Sequence, residues 1–373
     1  MNSSETSNLF KSIAGSILLA ATFLAQFNCS VSAQLATRPQ DPLFISGQQW
    51  SPGIMQLPNA WNTASGKGIR IAIFADGIDS NNPDLSGNST GALNRSKVEV
   101  LGRPRPANPS LEVNSKGTFM ALLAAGKSNN FGGLGMAPDA DIVDVKIAEQ
   151  ANLDNPLSST QAQAMVDAIN QFGNSGGQII VLPFNRLFRD SFQTRADFLM
   201  VNNALINFHD NHNGLVFMPS GDNRTRDNGQ AAYNHIIVVS GFNRTLNLEQ
   251  SNTGPAIKIS GNQIGPQWNA QGAVFGLSAT KYAAAEAAGV AALIWSFNKR
   301  LSNTEVERIL ISTASNNASP NLNYGSGFPN ATAALSITPA PVPNYQPYRA
   351  AKQRYDIEFP PLMQRVPIYT FGH

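Results

Sequence analysis

The 373-residue chain is 42% hydrophobic and 13% charged, a folded composition with an unusually neutral surface and enough apolar content for one large core or two modest ones. A formal charge of +2, with no long basic run and no interleaving of basic and aromatic residues, excludes nucleic acid and acidic polymers as organising partners. The single cysteine is Cys29, so a chain processed after residue 33 has no disulfide, thiolate metal site or cysteine nucleophile.

In chain order, polar residues 1–10 and Lys11 lead into IAGSILLAATFLAQF (13–27) and then NCSVSA (28–33), whose small residues Val31, Ser32 and Ala33 fit a cleavage site before Gln34. The apolar run is shorter than the roughly 20 residues needed to span a bilayer. The pattern predicts a secretory signal peptide over 1–33 and a secreted or extracytoplasmic protein with no membrane anchor after cleavage; a retained anchor is the competing reading. Residues 34–60, with Pro39, Pro42, Pro52 and Pro58, read as a short extended arm entering the body near Trp61.

From about 62 to 335, apolar runs alternate with Ala-rich helical stretches. IRIAIF (69–74), IVDVKI (142–147), QIIVLPF (178–184), GLVFMPS (214–220) and HIIVVSG (235–241) read as strands, several apolar without alternation, as strands covered on both faces are. Helices are predicted over 116–125, 157–171, 190–210, 281–298 and 302–313, the last opening on Ser302 with Glu305 three residues on, a capping-box spacing. This order predicts a three-layer αβα domain over 61–336 with a mostly parallel sheet. The proline-rich tail 337–373 reads as an extended or disordered end.

Several colinear motifs resemble those of subtilisin-like serine peptidases (peptidase S8, subtilases). GKGIRIAIFADGIDSNNPDLSGN (66–88) is similar to the strand and turn that carry the family's catalytic Asp, and KGTFMALLAAG (116–126) to its His-Gly-Thr-His helix start. GLGMAPDADIVDVKI (133–147) resembles the following Gly-Val-Ala-Pro segment, VFMPSGDNR (216–224) the loop with the oxyanion asparagine, and ATKYAAAEAAGVAALIW (279–295) the helix with the nucleophile. SNTGP (251–255) and YGSGFPNATAAL (324–335) resemble two further structural signatures. The resemblance covers roughly residues 48–336 and implies the subtilisin-like fold.

Placed residue by residue, the same resemblance removes the chemistry. The gapless match through GIDSNNPDL puts Ala75 in the catalytic Asp position, with Asp76 and Asp79 beside it; adjacent residues at a strand end point in different directions, so Asp76 does not inherit the role. Asp76 and Asp79 are read as turn carboxylates that accept backbone N–H bonds. The His position holds Lys116 and the second family histidine is Phe119; an ordinary lysine is already protonated and cannot take a serine proton. The nucleophile position holds Lys281 when the match is anchored on Ala288 and Gly289. A rival alignment makes Ser278 the nucleophile but inserts three residues into the helix, turning its packing face by about 300 degrees. Asp222 stands where the family has the oxyanion Asn, and an ionised carboxylate repels developing negative charge.

Two catalytic alternatives remain on the residues. Sedolisin-type serine-carboxyl peptidases use Asp at the oxyanion position with a Ser, Glu and Asp triad, yet GTFMALLAAG after Lys116 offers no carboxylate base. A dyad of Ser278 with Lys281 or Lys116 needs a strongly desolvated amine. His209, His212, His235 and His373 lie on elements outside the family site; HDNH (209–212) reads as a polar helix end, with a metal pair as the alternative.

The expectation is a secreted, catalytically degenerate pseudopeptidase with no catalytic residues and no cofactor, in which Lys116, Lys281 and Asp222 converge on the former substrate cleft. Its partner would be an extended peptide or protein segment held against strand edges. The alternative is an active serine-type endopeptidase with Ser278 as nucleophile. Calcium sites, which family members carry, are not assigned to any residue. After cleavage about 14 residues would precede Gln48, so no long propeptide is expected.

Overall fold

The computed structural model describes residues 39–86, 98–101, 114–149, 154–226, 233–245, 247–248, 251–254, 257–262 and 264–340. The predicted signal peptide 1–33 and the tail beyond 340 lie outside the described residues. Where the prolines suggested an extended arm, the chain instead forms three single-turn helices, α1 (Pro42–Ile45), α2 (Ser51–Ile54) and α3 (Leu57–Ala60). Each has proline at its first or second helical position, where the fixed φ suits a helix start and the missing N–H leaves no bond unmade. Trp61 follows, buried, its indole N–H donating to the Met136 carbonyl at 2.9 Å.

The body then runs β1 (Arg70–Ala75), β2 (Val98–Leu101), α4 (Lys116–Ala125), β3 (Asp141–Lys146), α5 (Ser159–Asn174), β4 (Ile179–Val181), α6 (Arg195–Asn211), β5 (Leu215–Pro219), β6 (Ile237–Phe242), β7 (Ile257–Asn262), β8 (Ile264–Trp268), β9 (Val274–Ser278), α7 (Thr280–Phe297), α8 (Asn303–Ser312) and α9 (Ala331–Ile337). Among the described residues, seven strands form one sheet in the order β2-β3-β1-β4-β5-β6-β7, every pair parallel. β8 and β9 form a separate antiparallel hairpin. The predicted helix 190–210 divides into a 3-10 turn, Phe188–Ser191, and α6. Thr194 causes the break: its hydroxyl accepts the Asp197 N–H at 3.1 Å and caps a new helix.

Helices α4 and α7 pack together on one face of the sheet, and α5 and α6 pack together on the other, the three-layer αβα arrangement. Every residue of α4 from Gly117 to Ala125 is buried, and so is every residue of α7 from Thr280 to Trp295. A helix apolar on all sides is one enclosed on all sides. Their closest approach depends on Gly289, where a β-carbon would come within 2.6 Å of the Ala124 carbonyl oxygen and of Met136 Cβ. Each large side chain enclosed in the core, such as Phe74 or Phe217, contributes about 1.5–3 kcal/mol.

Candidate functional site

Strand β1 lies between β3 and β4, so the chain order reverses about it, and the carboxyl ends of these strands are the position where open α/β sheets form a ligand-binding crevice. Ala75 closes β1 there with only a methyl group, 1% exposed. The first turn of α4 sits directly on this strand end: a β-carbon at Gly117 would lie 2.4 Å from the Gly77 carbonyl oxygen. Asp76, the next residue, accepts the Gly117 N–H at 2.8 Å on one oxygen and the Lys116 N–H at 3.2 Å on the other. It thus satisfies donors that a helix start leaves open and places a carboxylate against the positive end of the dipole. Burial pushes its carboxyl upward, with the two N–H bonds opposing. Asp79 accepts the Asn81 N–H at 2.9 Å. Both carboxylates are the backbone acceptors that the sequence suggested.

The start of α7 is built in the same way. Ala279 at its N-cap has no capping oxygen, and Asp222 supplies one from the loop after β5, accepting the Thr280 N–H at 2.8 Å. Gly221 makes the loop possible: its φ of +99° suits glycine, and a β-carbon would meet Asn252 Nδ2 at 2.5 Å. Asn252, within the SNTGP stretch, pins the loop by donating to the Ser220 carbonyl at 3.0 Å and accepting the Asn223 N–H at 3.1 Å. Burial pushes the Asp222 carboxyl upward, against the Thr280 bond and the nearby Lys281 charge.

Lys116 and Lys281 do converge, and a residue absent from the sequence reading joins them. Asp154 receives Lys116 Nζ at 2.5 Å on one oxygen and Lys281 Nζ at 3.4 Å on the other. Arg186 donates to its backbone carbonyl. Exposure is graded: the side chain of Lys281 is 4% exposed, that of Lys116 23% and that of Asp154 46%. Burial raises the Asp154 carboxyl, but Lys281 and Lys116 outweigh it and hold it below the ordinary carboxylate range. Burial pulls the Lys281 ammonium down, Asp154 opposing and Lys116 adding to the pull. Asp222 reaches Lys281 through its charge, while its oxygen accepts a hydrogen bond from the helix backbone. No local pattern could have marked Asp154, because its partners lie 38 and 127 positions away.

Ser278 ends β9, half-buried, paired with Ile264 across the hairpin. His209 and His212 end α6 just before β5, and His235 precedes β6, so all three lie at the amino edge of the sheet, opposite the crevice. His209 Nδ1 meets Asp210 at 2.7 Å. Among the described residues, no group of three or more His, Cys, Asp and Glu is arranged to hold a metal ion, and no helix is long and apolar enough to cross a membrane.

Deeper on α7, Glu286 is fully buried and accepts the Ser51 hydroxyl at 2.6 Å and the Asn262 N–H at 3.2 Å. Burial pushes its carboxyl up to about 8. It ties α2 and the end of β7 to α7 from below the crevice.

Residues 66–328 match the model of the subtilase family, peptidase S8. This chain belongs to that family. It is 30% identical over 270 residues to thermitase of Thermoactinomyces vulgaris, covering 71% of this chain and 88% of that protein. To subtilisin Savinase of Lederbergia lenta it is 27% identical over 289 residues, covering 76% and 97%. The fold agrees with that of solved structures: MycP1 from Mycobacterium smegmatis superposes with a TM-score of 0.61 at 16% identity, over 84% of this chain and 90% of that one.

Proposed function

We propose that this subtilase-family domain holds an extended peptide or protein segment in its crevice without hydrolysing it. The observation that carries the reading is the Lys281–Asp154–Lys116 bridge. By the motif resemblance read from the sequence, Lys281 stands at the nucleophile position and Lys116 at the base position, and both side-chain nitrogens are engaged with one carboxylate. Serine hydrolysis needs a neutral base that takes the hydroxyl proton and returns it to the leaving amine. Here both side-chain nitrogens donate to the Asp154 carboxylate, as cations meeting a counter-charge do, rather than presenting a free amine to a serine hydroxyl. Ala75 offers no carboxylate to orient a base, and Asp222 and Asp76 spend their oxygens on helix N–H groups. Peptide binding requires none of these groups, because strand edges bind an extended chain through the backbone.

The relatives favour a second reading. Subtilisin Savinase of Lederbergia lenta, the alkaline protease of Shouchella clausii and the thermophilic serine proteinase of Bacillus sp. (strain AK1) carry the names of proteases or subtilisins. By descent, the chain would be a serine-type endopeptidase with Ser278 as nucleophile. The described histidines lie at the amino edge of the sheet, so this reading takes a lysine amine as the base.

The two readings part when the full chain is incubated with denatured casein peptides and followed for both complex formation and new termini. The binding reading predicts a saturable complex and no new termini. Cleavage that Ser278→Ala abolishes would overturn it.

A further inference from the structure

Lys281 presents an unusual physical problem. Its side chain is almost wholly buried, and among the described residues Asp154 is the one carboxylate to which it hydrogen bonds. An unpaired buried ammonium costs several kcal/mol, so the pocket needs a carboxylate oxygen at this point. The residue that supplies it is the most exposed member of the cluster, 46% open to solvent, on the loop between β3 and α5. The ammoniums therefore form the floor and the carboxylate enters from the solvent side. The chemistry of the floor makes no distinction between a carboxylate of this chain and one from outside. Arg186 holds the Asp154 backbone rather than its carboxylate, so the side chain can leave while the loop stays tethered.

We propose that Lys281 and Lys116 form a carboxylate seat, filled in the free protein by Asp154 and taken over in the complex by a carboxylate of the bound peptide. The seat rests on the peptide-binding reading and adds a ligand class to it: a segment that brings either a free C-terminal carboxylate or an acidic side chain to the carboxyl ends of β1 and β3. Asp154 would act as a built-in competitor, so that segments lacking a carboxylate cannot displace it. The two sources of carboxylate share one chemistry and are separated by the probes below.

The test uses the full chain and three versions of one apolar decapeptide: free carboxylate end, amidated end, and amidated with glutamate as its last residue. Removing the competitor in Asp154→Ala should raise affinity for the carboxylate-bearing versions about tenfold or more, with the plain amide unchanged. Whichever of the two acidic versions gains identifies the source. Acetate should raise the melting temperature of Asp154→Ala but not of the wild type, and chloride at the same concentration should do neither. Adding Lys281→Met to Asp154→Ala should abolish both gains. If the alanine variant fails to fold, Asp154→Asn keeps the side-chain volume and should show the same preference for the acidic peptides. Equal responses to acetate and chloride, or equal gains for all three peptides, would overturn the seat. Peptide binding indifferent to carboxylates removes the seat and leaves the binding reading standing; acetate rescue with no peptide binding does the reverse.

Discussion

Lys281 and Glu286 lie a little over one turn apart on α7, both removed from water, and the fold satisfies them by opposite means. Lys281 sits at the mouth of the helix, where a loop can reach it, and is matched by a partner carboxylate. Glu286 lies deeper, where among the described residues no cation pairs with it; it accepts the Ser51 hydroxyl and the Asn262 N–H, and burial pushes its carboxyl up to about 8. Burial pushes both groups toward their neutral forms, and they differ in what opposes it. At the crevice the fold supplies Lys281 with a counter-charge from the most solvent-exposed residue of the cluster.

The largest expected effect breaks the inner half of this comparison. The folded carboxyl of Glu286 titrates near 8 against an ordinary 4.5, so the folded state holds its proton more tightly. Stability from this group is therefore fully present below about 4.5 and lost as pH rises through about 8. Glu286→Gln should flatten that decline and leave the variant more stable than wild type at pH 9 by on the order of 3–5 kcal/mol, measured by urea unfolding across pH. A parallel decline in both proteins would show that Glu286 is ionised in the fold.

The outer half should respond less, because water shares its charges. Asp154→Ala leaves Lys281 without its carboxylate and should cost about 1–3 kcal/mol, below the usual range for a fully buried pair because Asp154 is half-exposed. Lys281→Met, which removes the buried charge itself, should be neutral or stabilising in the same unfolding experiment. If Lys281→Met costs more than Asp154→Ala, the ion pair is not what makes the buried ammonium tolerable.

Asp222→Ala removes the cap of α7 and should cost about 1 kcal/mol, with Asp222→Asn recovering most of it because the amide oxygen accepts the same Thr280 N–H. Failure of Asn to recover stability would mean that the carboxylate serves Lys281 rather than the helix. The smallest change is Lys116→Met, expected within about 1 kcal/mol of wild type since this lysine is partly exposed. Asp76 accepts the Gly117 N–H and Ser115 Oγ the Thr118 N–H at 3.0 Å, and hydrogen exchange at these two amides would show whether the two caps hold α4 without the lysine.

Much of the scaffold was legible because parallel strands covered on both faces must be apolar throughout. IRIAIF and IVDVKI announce themselves by that requirement and became β1 and β3. Asp76, Asp79, Lys116, Lys281 and Asp222 could be located because they sit at strand ends and helix starts, where colinear motifs and local geometry coincide. Asp154 could not, since its role is created by contacts remote in sequence. The arm was misread for a local reason: prolines at Pro42, Pro52 and Pro58 signal helix starts as readily as extended chain. β7 and the β8–β9 hairpin were missed because Gly261, Gly265, Pro266 and Gly276 interrupt their patterns.

The most direct test of a non-hydrolytic crevice is the intact mass of the folded full chain after exposure to a fluorophosphonate, which reacts only with an activated nucleophile. A non-hydrolytic site leaves the mass unchanged while circular dichroism reports a folded protein. A stoichiometric adduct mapped to Ser278 and lost in Ser278→Ala would contradict it and establish a serine peptidase with a lysine in place of its base.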